Sequence, residues 1–143
     1  MTSLPNPLSQ PDFYRDVPSK RFFAWVIDVF LITLLTLFLS LFTLFTAVFI
    51  YPLFYGIVSF LYRWTSLTLF SGTPGMSLMA LSILDRDGEF LNIGSAFMHT
   101  AGYFVSVAIF PLQLISIALI LMSEKRQSLT DMILGTAAIN RRA

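Results

Sequence analysis

Asp28 sits in an apolar run where a carboxylate is expensive. Arg21 lies two helical turns before it, and no side chain from Val29 to Tyr62 carries a charge. As one continuous helix that run would extend about 50 Å, against a hydrocarbon core of about 30 Å, so it must turn and come back. A carboxylate inside such a run reads by default as a pairing or functional site. Arg63 follows on the returning segment. In a hairpin that turns between Thr46 and Tyr51, Asp28 and Arg63 fall at similar depth. Either Arg63 or Arg21 is therefore expected to neutralise Asp28, which would otherwise take up a proton. The alternative for Arg63 is that it snorkels to the headgroups. His99 is the only histidine of the chain. It titrates near neutral pH by default and is a candidate proton carrier, or else a hydrogen-bonded structural residue.

Hydroxyl groups accompany these charges. With Asp28 at 0° and about 100° per residue, Arg21, Thr33, Thr36, Ser40, Thr43 and Thr46 all fall within roughly 140° of one helix face. Small hydroxyl residues on one face either line a helix–helix contact, bonding to their own backbone, or form a polar track leading from Asp28 into a bundle. On an unbroken third helix, Ser95, His99, Gly102, Ser106, Gln113 and Ser116 fall within about 100° in the same way.

The elements that position these residues must be membrane-embedded helices. Of the 143 residues 56% are hydrophobic and only 12% charged, half the charged fraction of an ordinary soluble domain, about 25%. A net charge of +1 gives no footprint for nucleic acid. With no cysteine and one histidine, disulfides, thiolate chemistry and multi-histidine metal sites are excluded, and no cofactor is expected. There is no Gly-x-Ser-x-Gly elbow and no phosphate loop, so an enzyme is not expected.

The fold class that results is an all-α membrane protein with about three transmembrane helices, a small surface β-hairpin and a C-terminal tail. Residues 1–20, with four prolines, read as a poorly ordered arm on the membrane surface. The membrane domain covers residues 21–140, with spans at about 22–46, 49–70 and 95–122. Gly72-Thr73-Pro74-Gly75 is a turn. Asp85-Arg86-Asp87-Gly88, between short apolar runs, predicts a β-hairpin over about residues 76–92. Pro111 interrupts the third segment, leaving two paths. Length favours one kinked crossing. The positive-inside rule instead favours a Pro-broken hairpin, which returns the basic tail of residues 123–143 to the side of Lys20 and Arg21. In that tail Leu129, Met132 and Ile133 suit a short interfacial helix, with Asp131 facing water or reaching back to Arg21.

The ordered set of an arginine opening the first helix, an aspartate within it, the turn Gly72-Thr73-Pro74-Gly75, an Asp-Gly turn, and Thr130-Asp131 followed by Gly135-Thr136 resembles the RDD family of small bacterial membrane proteins. The resemblance covers roughly Lys20 to Asn140. It assigns Arg21, Asp28 and Asp131 to the family's named arginine and two aspartates. It implies a multi-pass protein of the bacterial inner membrane with a role in transport of ions or small solutes. The chain departs from the family pattern at Met76, where lysine is usual, at His99, the nearest candidate for an arginine near the start of the third helix, and at Thr130, where histidine is usual.

Two functions follow as expectations. One is transport through the polar face around Asp28, with membrane lipid around it and several copies assembled, since one chain has little room for a pathway. The other is an accessory, assembly or scaffold role beside a larger membrane complex, in which Asp28 and Arg21 lock helix packing.

Overall fold

The computed structural model describes residues 4–42 and 50–140. After a short 3-10 turn at Pro11–Tyr14 come α1 (Val17–Phe42), α2 (Tyr51–Phe70), α3 (Pro74–Leu78), β1 (Leu81–Leu84), α4 (Ile93–Ala108), α5 (Phe110–Met122), α6 (Leu129–Leu134) and β2 (Ala137–Asn140). Thr43 and Thr46, expected on the polar face of the first span, lie outside the described residues.

α1 is built inside out. Its buried positions include Ala24, Asp28, Ile32, Thr36 and Ser40, a four-residue repeat of mostly small or polar groups. Its outer positions are large and apolar: Phe30 is 62% exposed and Phe42 72%, while Thr36 is 0%. In water this arrangement would be strongly unfavourable; against lipid it is the stable one. Pro11–Phe42 is long and apolar enough to cross a membrane, its most apolar 18 residues having a mean hydropathy of 2.4, and the α4–α5 pair taken together meets the same test.

Local signals set most helix ends. Pro52 occupies the first turn of α2, and α2 ends on Ser71 in the left-handed region at φ 53°. Ser71 then joins three segments. Its N–H donates to Leu67 O, its carbonyl accepts from Ile83 N at 2.8 Å, and its hydroxyl accepts from Leu91 N at 3.0 Å and donates to Ile83 O. Asn92 and Ser95 form a reciprocal capping box at the start of α4, and Ser128 and Asp131 do the same for α6. Gly135, at φ 77°, closes α6.

The third apolar segment is not one kinked rod. α4 and α5 are bent by 116° at Ile109, where Pro111 supplies no N–H to continue the ladder. The single kinked crossing preferred on length does not form; the structure takes the Pro-broken path that the charge of the tail favoured. The tail therefore reaches the end of the molecule that holds Lys20 and Arg21.

At that end the expected surface hairpin is replaced by a different pairing. β1 lies antiparallel to β2, Leu81 opposite Asn140 and Leu84 opposite Ala137. The Asp-Gly turn forms, with Gly88 at φ 78° and Asp85 Oδ1 accepting from the N–H groups of Asp87 and Glu89. It closes only a single bridge, Leu84 to Phe90. Residues 74–78, partly inside the expected hairpin, are helical. The N-terminal arm is also docked rather than loose. Leu4 and Tyr14 pack on Ala137 and Ile139. Asn140 donates to Asp12 O and Arg15 O, each at 2.9 Å, and accepts from Lys20 Nζ at 2.7 Å. Tyr14 Oη donates to Pro5 O, and burial pushes its phenol up to about 12. Arm, sheet, α3 and α6 thus form one module at one end of the helices.

Candidate functional site

Two carboxylate cages sit near this module. The first surrounds Asp131, which is fully buried. Oδ1 accepts from His99 Nε2 at 2.8 Å and Thr136 Oγ1 at 2.7 Å; Oδ2 accepts from Arg21 at 2.9 Å and from Ser128 N–H at 3.0 Å. Residues from α1, α4 and the tail are held on one side chain. Gly102 allows the approach: a Cβ there would stand 2.5 Å from Thr130 Cγ2. Burial alone would push the Asp131 carboxyl up, but the Arg21 charge, the His99 hydrogen bond and the Ser128 N–H outweigh it. They hold the carboxyl well below the usual carboxylate range.

The second cage surrounds Asp28. Tyr62 Oη and Gly75 N–H donate to Oδ1, each at 2.8 Å, and Thr73 Oγ1 donates to Oδ2 at 2.5 Å. The expected arginine partner is not there. Arg21 is committed to Asp131, and Arg63 forms neither an ion pair nor a hydrogen bond among the described residues. Arg63 does not simply reach the headgroups either. Its guanidinium lies 4.3 Å above the Tyr103 ring, with Nε buried. The turn Gly72 to Gly75, read from sequence only as a turn, is the cage itself: Thr73 caps α3, Pro74 opens it, and Gly75 admits the carboxylate. Tyr62 and Ser128 have no assigned role in the sequence reading, and Thr136 enters it only as part of the closing motif. A tyrosine beside the buried Arg63, and capping residues either side of Asp131, were the available signals.

The hydroxyl face of α1 divides. Thr33, Thr36 and Ser40 each donate to the carbonyl four residues back, and Thr33 also meets Tyr55 Oη at 3.2 Å. Thr33 thereby touches α2, and none of the three lines the cavity between α1 and the α4–α5 pair. The space is elsewhere. A cavity of about 620 Å³ lies between α1 and the α4–α5 pair. Arg21, Asp28, Arg63 and His99 line it, together with Ser106 of α4 and Gln113 and Ser116 of α5. Of the polar face read along the third segment, His99, Ser106, Gln113 and Ser116 line the cavity across the break at Ile109, while Ser95 and Gly102 do not. Phe22, Trp25, Val107, Phe110 and Ile117 also line the cavity and are exposed on the outer surface, so its mouth opens sideways, where lipid would lie. No group of three histidine, aspartate or glutamate residues among those described is placed to hold a metal ion.

Apolar helices turned outward, with carboxylates and arginines enclosed at one end, define a membrane protein with a polar interior site. The chain matches the sequence profile of the RDD family over residues 17–135 and belongs to that family. No curated protein and no solved structure matches it.

Proposed function

We propose that this protein transports a small solute or ion, with the cavity between α1 and the α4–α5 pair as its substrate site. The observation that carries the reading is the cavity itself. It falls in the size range of ligand sites, about 300–1,000 Å³, and concentrates the intramembrane charges Asp28 and Arg63 beside Arg21 and His99. Intramembrane ionisable groups facing a cavity are typical of solute and ion pathways. In this reading the protein is a multi-pass component of a bacterial inner membrane. The module carrying Arg15, Lys20, Lys125 and Arg126 faces the cytoplasm by the positive-inside rule. Copies assemble to complete a path, and no covalent step is involved.

The test is flux in proteoliposomes loaded with a pH-sensitive dye, with sodium, potassium, chloride or phosphate supplied outside in turn. Ser106→Phe fills the cavity from α4 while leaving both carboxylate cages intact. At least one solute is expected to move protons or itself above empty liposomes, with the rate falling tenfold or more in the variant. Equal flux in both proteins rejects the cavity as the path. Absence of flux, together with isolation in fixed proportion with a larger membrane complex, would establish the accessory role instead.

A further inference from the structure

Two buried side-chain polar atoms among the described residues have no hydrogen-bond partner, Arg63 Nε and His99 Nδ1. Both residues line the same cavity. Neither is served by the nearby carboxylates, whose oxygens are occupied. Asp28 is held by Tyr62, Thr73 and Gly75. Asp131 is held by four donors. Arg63 thus keeps a buried Nε–H without an acceptor, its guanidinium braced on Tyr103. His99 presents the reverse. Its Nε2 bonds to a carboxylate, an acceptor only, so Nε2 carries a proton, and with the ring neutral the unpartnered Nδ1 is a lone pair without a donor.

From this pairing we infer that the cavity binds an amphiphile headed by a phosphate monoester, drawn sideways from the lipid phase. A phosphate monoester in its monoanion form carries both complements on one group: charged oxygens for Arg63 and one P–OH to donate to His99 Nδ1. A carboxylate would satisfy only the arginine. The rest of the cavity suits an apolar chain, because Ile117, Ile120 and Leu121 of α5 wall it and the mouth lies between lipid-facing Phe22, Trp25 and Phe110. This inference rests on the cavity being the solute site and names the class of solute.

The experiment uses the full chain in nanodiscs of zwitterionic lipid. Dodecyl phosphate, dodecyl maltoside and inorganic phosphate are titrated separately while the thermal midpoint and tryptophan fluorescence are followed, Trp25 standing at the cavity wall. Dodecyl phosphate is expected to raise the midpoint by several degrees, with the neutral amphiphile and the bare anion at least tenfold weaker. Arg63→Gln should weaken dodecyl phosphate tenfold or more, with Arg63→Lys intermediate. Should Arg63→Gln fail to fold, Ser106→Phe must abolish binding by filling the cavity. Inorganic phosphate binding as tightly would overturn the amphiphile, and dodecyl maltoside binding as tightly would overturn the anionic head. Unchanged binding in the variants would overturn the site. Ion flux without dodecyl phosphate binding would reject this inference and keep the transport reading. Binding without any flux would do the opposite.

Discussion

Asp131→Asn is expected to remove most of the folded protein. The carboxylate accepts four hydrogen bonds, and an amide must turn its NH2 towards one pair of donors. Facing Arg21 and Ser128 N–H, it would oppose a fixed cation and a fixed backbone donor. Facing His99 and Thr136 is the lesser conflict, because a hydroxyl can rotate and an imidazole can change tautomer. Either way Arg21, only 13% exposed, loses its counter-charge. Breaking a buried pair from one side costs about 3–5 kcal/mol, a large share of the roughly 5–15 kcal/mol that holds a domain together. Thermal unfolding in mild detergent should show a fall of ten degrees or more. Adding Arg21→Gln should recover part of the loss, since the uncompensated charge goes with it. The same cluster fixes an acid limit. Because the folded carboxyl is held below its ordinary value, its contribution is complete above about pH 4 and drains away as pH falls below that, where the unfolded chain takes up the proton. The Asp131→Asn protein should lack that part of the acid slope. An unchanged melting temperature would mean that the tail is not held by this carboxylate.

Gly75→Ala is the second large effect. A Cβ at residue 75 would stand 2.2 Å from Ala24 O, 2.7 Å from Asp28 Oδ1 and 2.9 Å from Asp28 Cγ. The first of these is backbone and cannot swing aside. α3 must then move away from α1, taking with it the Gly75 N–H and Thr73 hydroxyl that cage Asp28. Overpacking costs about 1–3 kcal/mol, and a buried carboxylate stripped of two donors adds to that. Gly56→Ala is the matched control, because nothing lies within 4 Å of a Cβ there. Its midpoint should hold or rise slightly. Equal stability of the two variants would show that α3 does not press on Asp28.

Much of the fold was readable because its signals are local or periodic. The uncharged run after Asp28 required a return. Pro111 marked the break between α4 and α5, and the charge of the tail favoured the path that was taken. Asp131 reaching back to Arg21 followed from that path. What escaped was non-local. The partner of Leu81–Leu84 is Ala137–Asn140, a short stretch without alternation, and nothing near β1 announces it. The arm looked loose because its anchors, Leu4 and Tyr14, are buried only by that distant strand. Asp28 was assigned a charged partner because pairing by depth sees ions and overlooks backbone N–H groups. Its cage depends on a five-residue helix aiming Gly75 N–H at it. Thr33 shares a face with Asp28 yet meets Tyr55 of α2, since one arc of about 140° is wide enough to border both a neighbour and a cavity.

The polar site depends most on both ends of the membrane domain meeting on one side, since only then can Arg21, His99 and Asp131 close the cavity. The chain has no native cysteine, so single substitutions report their side cleanly in sealed vesicles of one orientation. Ser9→Cys, Asp87→Cys and Glu124→Cys should all react with an impermeant maleimide from the same side, and Ile50→Cys only from the other. Labelling of Glu124→Cys from the side opposite Ser9→Cys would contradict the account, because the third segment would then cross outright and part Asp131 from Arg21.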